Sequence, residues 1–235
     1  MRRSLILSSM ALLALAGAAQ ADVLWNQLPA YDDPAVASFP DRITTDPFSG
    51  ASGIFCVSDV TVPAGGWTVQ SVTTYFSDLS FNPTVTSAVL NIFPKTGALP
   101  VAANDPRAMP TGQGTAVVPV DVRSAGGASL QPVMILTADG LNINLPAGEY
   151  WIGLTPTLQS GPFGSDLHWG AATMIGAPSA ARGYDAFGGF PWTDVGSLAQ
   201  TSPFDLAITI NGVVPAPSSL ALMGLAGLAA ARRRR

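Results

Sequence analysis

Between residues 204 and 211 the chain alternates without a break. Phe204, Leu206, Ile208 and Ile210 fall on one parity, and Asp205, Ala207, Thr209 and Asn211 on the other. A period of two marks an extended strand with one buried face, because successive Cβ atoms point to opposite sides of the backbone. The pattern recurs upstream. Leu141, Ile143 and Leu145 alternate with Asn142 and Asn144; after the turn Pro146-Ala147-Gly148, Tyr150, Ile152 and Leu154 face one way. Ala88, Leu90 and Ile92 share a face within 84–93. Val69, Val72, Thr73, Tyr75 and Phe76 fill 67–77 behind the turn Pro63-Ala64-Gly65-Gly66. Shorter β-rich runs occupy 54–62, 115–122 and 130–137. Residues 22–53 and 94–113 read as irregular, being broken repeatedly by proline. No stretch between 22 and 212 carries helical periodicity over ten or more residues. About eight to ten short strands joined by Gly/Pro turns predict an all-β protein, an antiparallel β-sandwich of jelly-roll-like form.

The two ends obey different rules. At the N-terminus Arg2 and Arg3 precede an apolar run, Leu5 to Ala16, and the small-x-small sequence Ala19-Gln20-Ala21. This order is that of a secretory signal peptide, with a signal helix over residues 1–21, cleavage by signal peptidase after Ala21 and a mature start at Asp22. At the C-terminus Pro215 and Pro217 stop any preceding strand. Leu220 to Ala231 is apolar and rich in the helix formers Ala and Leu, and Arg232, Arg233, Arg234 and Arg235 end the chain. An apolar helix closed by arginines is a membrane anchor whose charged end stays cytoplasmic. This run is shorter than the ~20 residues of a stable span. Three regions follow: the signal peptide at 1–21, a β-sandwich ectodomain at 22–212 and an anchor segment at 213–235.

The order Pro-x-Pro, apolar helix, arginine cluster resembles the PEP-CTERM sorting signal of bacterial envelope proteins, with Ala216 where the family has Glu. The resemblance implies processing near Pro215-Ala216-Pro217 by an exosortase-like membrane enzyme, membrane attachment through the C-terminal helix before processing, and release to the cell envelope, surface or extracellular matrix. The body also resembles β-rich ectodomains of such proteins through Val-Pro-Ala-Gly-Gly-Trp-Thr-Val at 62–69 and Ala-Gly-Glu-Tyr-Trp-Ile-Gly-Leu at 147–154.

Charge narrows the partners. Six of the 11 cations lie in the termini, so residues 22–212 carry five cations against all 15 acids, a net charge of −10. A basic footprint for nucleic acid is absent. Cys56 is the one cysteine, so no internal disulfide forms; it reads as a buried small hydrophobe, with an intermolecular disulfide as the alternative. One cysteine and one histidine, His168, do not assemble a zinc site, and Asp32, Asp33, Asp41 and Asp46 lack the spacing of a calcium loop. No metal or cofactor is expected. No nucleophile elbow, Walker loop or H-E-x-x-H occurs. His168 beside Trp169 reads as a strand residue, and the lone Glu149 as structural, so the chain reads as non-catalytic.

One region is rich in aromatics among glycines. Trp169, Tyr184, Phe187, Phe190 and Trp192 form a possible ligand platform for sugar faces, with Asp166, Asp185 and Asp194 available to hydroxyl groups. The competing account is that the rings pin a long loop onto the sandwich. The functional expectations are therefore a non-catalytic exported surface or matrix protein, or a carbohydrate-binding sandwich that recognises matrix polysaccharide. An Asp-based glycan hydrolase ranks below both.

Overall fold

The computed structural model describes residues 21–28, 38–40, 42–46, 50–78, 84–107, 115–125, 133–159, 167–172, 175–184 and 189–215. In chain order the strands are β1 (Asp22–Gln27), β2 (Ser38–Pro40), β3 (Arg42–Asp46), β4 (Gly50–Val62), β5 (Trp67–Asp78), β6 (Thr84–Pro94), β7 (Thr115–Val118) and β8 (Asp121–Ala125). Then come β9 (Val133–Ala138), β10 (Ile143–Leu145), β11 (Gly148–Gln159), β12 (Leu167–Ala172), β13 (Ala180–Tyr184), β14 (Phe190–Asp194), the helix α1 (Val195–Ala199), β15 (Asp205–Leu206) and β16 (Ile208–Val213). The signal and anchor helices expected at the two ends lie outside the described residues. Among the described residues no helix is long and apolar enough to cross a membrane.

Two sheets form. In the nine-stranded sheet β5 is the axis: β16 and β12 pair along one flank, β10 and β9 along the other, and β1 closes on β16. In the seven-stranded sheet the order is β14-β13-β4-β3-β11-β6-β7. Among the described residues the β3–β11 pair is parallel and every other pair antiparallel. Apolar side chains of both sheets meet in one core. Val60 and Val62 of β4, Leu90 and Ile92 of β6, and Ile152 and Leu154 of β11 pack with Val72 and Phe76 of β5, Leu136 of β9, and Ile208 and Ile210 of β16. The even-numbered residues of β11 and β16 thus face the core as their alternation predicts, which makes the protein a β-sandwich.

Several expectations are corrected. The region read as irregular, 22–53, contains β1, β2, β3 and the start of β4. Pro40 ends β2, whose described partner is β12 alone, so its missing N–H is tolerated there; β3 contains no proline and lies between β4 and β11. The aromatic region is not one loop: it contributes β12, β13 and β14. The run 204–211 is two strands, and its polar parity is buried as well: Asp205 and Ala207 are fully enclosed and Thr209 is 9 % exposed. Alternation reports a polar face, not its exposure, and here loops and neighbouring strands close over it.

The two Pro-Ala-Gly turns meet in space. Each carries the chain from one sheet to the other, β4 to β5 through 63–66 and β10 to β11 through 146–147. Val62 pairs with Gly148 while Trp67 pairs with Leu145, so the turns run side by side. Gly66 is required there: its φ is +72°, and a Cβ would stand 2.7 Å from the Leu145 carbonyl oxygen.

Candidate functional site

The outer face of the seven-stranded sheet carries a second apolar layer. Val57 of β4, Trp151 of β11, Phe93 of β6, Ala180 of β13 and Trp192 of β14 are all buried there. They are the opposite parity of strands whose other face fills the main core, so β4, β6 and β11 are apolar on both sides. Residues 95–107 form the cover. Trp192 Nε1 donates to the Asn104 carbonyl at 3.0 Å, and Arg182 donates to the carbonyls of Ala102 and Asn104 at 2.8 and 3.1 Å. Within the strap Pro100 and Pro106 are themselves buried.

At one border of that layer Tyr184 stands half-buried at the end of β13. Its ring meets the edge of Phe55 at 84° and 5.7 Å between centroids. The Arg107 guanidinium lies 3.7 Å from its centroid and that of Arg182 lies 4.9 Å away, both cation–π contacts. Its hydroxyl donates to Asp105 Oδ1 at 2.9 Å. The Arg107 side chain grips Asp105 through two bonds, 3.2 and 3.1 Å. The hydrogen bond from Arg107 holds the Asp105 carboxyl down to about 2. Burial, and then the bond to Asp105, push the Tyr184 hydroxyl up to about 12.

At the opposite border lies an ion pair. Asp59 of β4 and Lys95, just past β6, are joined 2.5 Å apart, with side-chain exposures of 6 % and 11 %. Between their strands runs β11, which places Trp151 opposite both Asp59 and Phe93. Lys95 Nζ stands 5.1 Å from the Trp151 ring centroid. The Asp59 Oδ2 atom also receives the Ala177 N–H at 3.0 Å, while its Oδ1 and the Trp151 indole N–H are buried without a hydrogen-bond partner.

The loop that carries Ala177 continues to a second buried carboxylate. Asp205 is fully buried. Its Oδ2 accepts from the Ile175 N–H at 2.6 Å and from Gln27 Nε2 at 2.8 Å. Its Oδ1 lies 3.2 Å from Ser179 Oγ, which is 3.1 Å from Ser58 Oγ and accepts the Leu206 N–H at 3.0 Å. Burial drives its pKa up to about 6, with neighbouring Asp59 adding in the same direction against the hydrogen bonds. Asp59 and Asp205 together clamp residues 175–179, the crossing from one sheet to the other. Neither was legible as special in the sequence: Asp59 follows Ser58 in an apolar run, and Asp205 sits on the polar parity of its strand.

The proposed platform residues are distributed rather than gathered. Trp169 lies on β12 of the nine-stranded sheet, paired with Phe39 and Phe76. Tyr184, Phe190 and Trp192 belong to the seven-stranded sheet, Phe190 leaning on the main core and Trp192 on the outer layer at 6.3 Å from Phe93. Phe187, Asp166 and Asp185 lie outside the described residues. Asp194 caps α1 by accepting the Ser197 N–H at 2.8 Å. His168 pairs with Pro40 and Ser77 along the backbone. Glu149 pairs with Thr61, and its carbonyl accepts the Lys95 N–H at 2.8 Å. Cys56 is buried in the main core and takes part in no disulfide. Among the described residues no three His, Cys, Asp or Glu side chains converge as a metal site.

The sorting residues sit where the sandwich ends. Val213, the last residue of β16, pairs with Thr68, and Val214 and Pro215 are exposed beyond it. Ala216, Pro217 and Arg232 to Arg235 lie outside the described residues, as does Ala19; Ala21 is exposed directly before β1. No curated protein and no solved structure matches the chain. A family model, the PEP-CTERM protein-sorting motif, matches residues 213–235. The chain thus carries the sorting signal of an exported protein, one that an exosortase processes and that is anchored at the membrane before processing.

Proposed function

We propose that the protein is a non-catalytic surface or extracellular-matrix component, its β-sandwich delivered beyond the inner membrane by the two terminal signals. The observation that carries this reading is the position of the sorting motif: it begins on the last residue of β16, so the proline motif emerges from the folded body without an intervening linker. Signal peptidase would remove 1–21, an exosortase would act near Pro215-Ala216-Pro217, and 22–212 would be released as a jelly-roll-like module. The buried carboxylates Asp59 and Asp205 and the rings of Trp151 and Trp192 are engaged in internal packing and clamping contacts, which suits a structural or adhesive role better than catalysis. Expression of the full chain in a host with and without its exosortase tests the reading. Loss of both ends and recovery of the body from the envelope or medium, dependent on the exosortase and on residues 216–235, is the expected result. Recovery of an unprocessed chain from cytosol would refute it.

Recognition of matrix polysaccharide is a second reading, favoured by the half-exposed Tyr184 beside Arg107, whose side chain is 57 % exposed. An exposed guanidinium on an aromatic ring suits an acidic sugar. Glycan binding lost in Arg107→Ala, with folding retained, would favour it; blank arrays would leave the first reading alone.

A further inference from the structure

Lys95 is the one lysine in the chain; its ten other cations are all arginine. Lysine ordinarily keeps its ammonium in water. Here the single ammonium is enclosed, packed over the Trp151 ring and 2.5 Å from Asp59 Oδ2. The two oxygens of Asp59 differ: Oδ2 holds the Ala177 N–H, and Oδ1 is buried with no partner. The backbone fixes both residues. Asp59 is inside β4, opposite Trp151, while the Lys95 N–H is bonded to the Glu149 carbonyl at 2.8 Å. On the far side Gly176, at φ +96°, presses close: a Cβ there would stand 2.6 Å from Asp59 Oδ2.

We propose that Lys95 and Asp59 condense into an intramolecular amide, a covalent staple between β4 and the segment leaving β6. One proton passes from the Lys95 ammonium to Asp59 Oδ2, the oxygen it touches. The freed lone pair of Nζ adds to Cγ, and the charge develops on Oδ1. A second proton from Nζ reaches Oδ2, which departs as water. The product is a neutral amide, Cγ=Oδ1 bonded to Nζ–H, plus one water; no oxidant, reductant or other reactant takes part. In bulk water the hydrated ions resist this condensation, but an enclosed ion pair has lost that hydration, and the amide removes both buried charges. The oriented pair gains the effective concentration of an intramolecular reaction, on the order of 10⁵–10⁸ M. Arginine would not serve, because its guanidinium stays protonated. Oδ1, orphaned and costly in a carboxylate, becomes a neutral amide oxygen. With Cys56 alone and no disulfide available, the amide would supply the cross-link an exported sandwich otherwise lacks.

Tryptic digestion of the denatured full-length protein decides the matter. Both residues lie between Arg42 and Arg107. An amide blocks cleavage at Lys95, so the digest yields one peptide, 43–107, lighter than its sequence by one water, and Lys95 resists amine-reactive labelling. Asp59→Ala restores cleavage and labelling, and Lys95→Arg abolishes the water loss. Peptides 43–95 and 96–107 at full mass from the unaltered protein, with Lys95 labelled, would overturn the proposal and leave an ordinary buried ion pair. Because the unaltered protein alone decides, failure of a variant to fold does not matter, and the result is independent of the sorting reading.

Discussion

Asp205 makes the fold less stable as pH rises, and Asp205→Asn removes that dependence. In the folded chain its carboxyl titrates at about 6, against 3.8 for an ordinary aspartate. The folded state therefore binds the proton more tightly than the unfolded state, and stability falls with pH across the interval between the two values. Below about pH 4 both states are protonated and nothing is lost; above pH 6 both are ionised and the loss is complete. At ~1.4 kcal/mol per pH unit the interval is worth about 3 kcal/mol. The asparagine amide can keep the network: its oxygen accepts from Ile175 N–H and Gln27, and its nitrogen donates to Ser179 Oγ, whose hydrogen turns to Ser58. Urea denaturation of both proteins at pH 4 and pH 7 is the assay. The variant should gain on the original chain by up to about 3 kcal/mol between those pH values, on the order of 1 M in midpoint for m-values of a few kcal/mol/M. Parallel pH profiles for the two proteins would refute the assignment of a buried, destabilised carboxylate to Asp205.

Three further outcomes follow from particular contacts. Trp192→Ala should destabilise by ~3–5 kcal/mol in urea, since it opens a cavity against Phe93 and removes one of the two donors to the Asn104 carbonyl. Gly66→Ala should cost ~1–3 kcal/mol in the same assay, because it puts a Cβ at positive φ and against the Leu145 carbonyl. Asp105, held near 2, stabilises the fold above its unfolded pKa of 3.8, and the benefit is lost as pH falls towards 2. Asp105→Asn should therefore narrow the acid-side stability change and also lower the alkaline titration of Tyr184, which absorbance reads directly.

The strands of the main core were legible because one face is buried against the opposite sheet and turn residues bracket each run. Tyr150, Ile152 and Leu154 illustrate this: their parity alone states which side meets the core. The outer layer was not legible in that way. Trp151 is as buried as its neighbours Tyr150 and Ile152, although the odd parity of β11 that it shares with Glu149, Thr155 and Thr157 reads as a polar, outward face. What covers Trp151 is a strap without regular structure, residues 95–107, whose prolines announce a loop but not where it lies. The aromatic region failed for a related reason. Its glycines suggested loops, whereas Gly183 sits inside β13 because a Cβ there would strike the Phe190 ring at 2.4 Å. A glycine demanded by a close approach is indistinguishable, in sequence, from one demanded by a turn.

The polar groups between and beneath the sheets expose the deeper limit. Asp59 and Asp205 are 146 residues apart in the chain, yet one five-residue crossing, 175–179, bonds to both through Ile175 N–H, Ala177 N–H and Ser179. Such a clamp has no local signature, since each carboxylate is matched by backbone groups that every residue possesses. Composition offers the one visible trace. A chain that uses arginine at every other cationic position retains a single lysine, and it is the enclosed partner of Asp59. For an ion pair alone, arginine would be the better residue: its planar fork would reach Oδ1 as well as Oδ2. Lysine leaves Oδ1 bare. That is a cost to a salt bridge which condensation relieves, so a Lys95→Arg chain that pairs with Asp59 but is less resistant to unfolding would separate the covalent role of Lys95 from its charge.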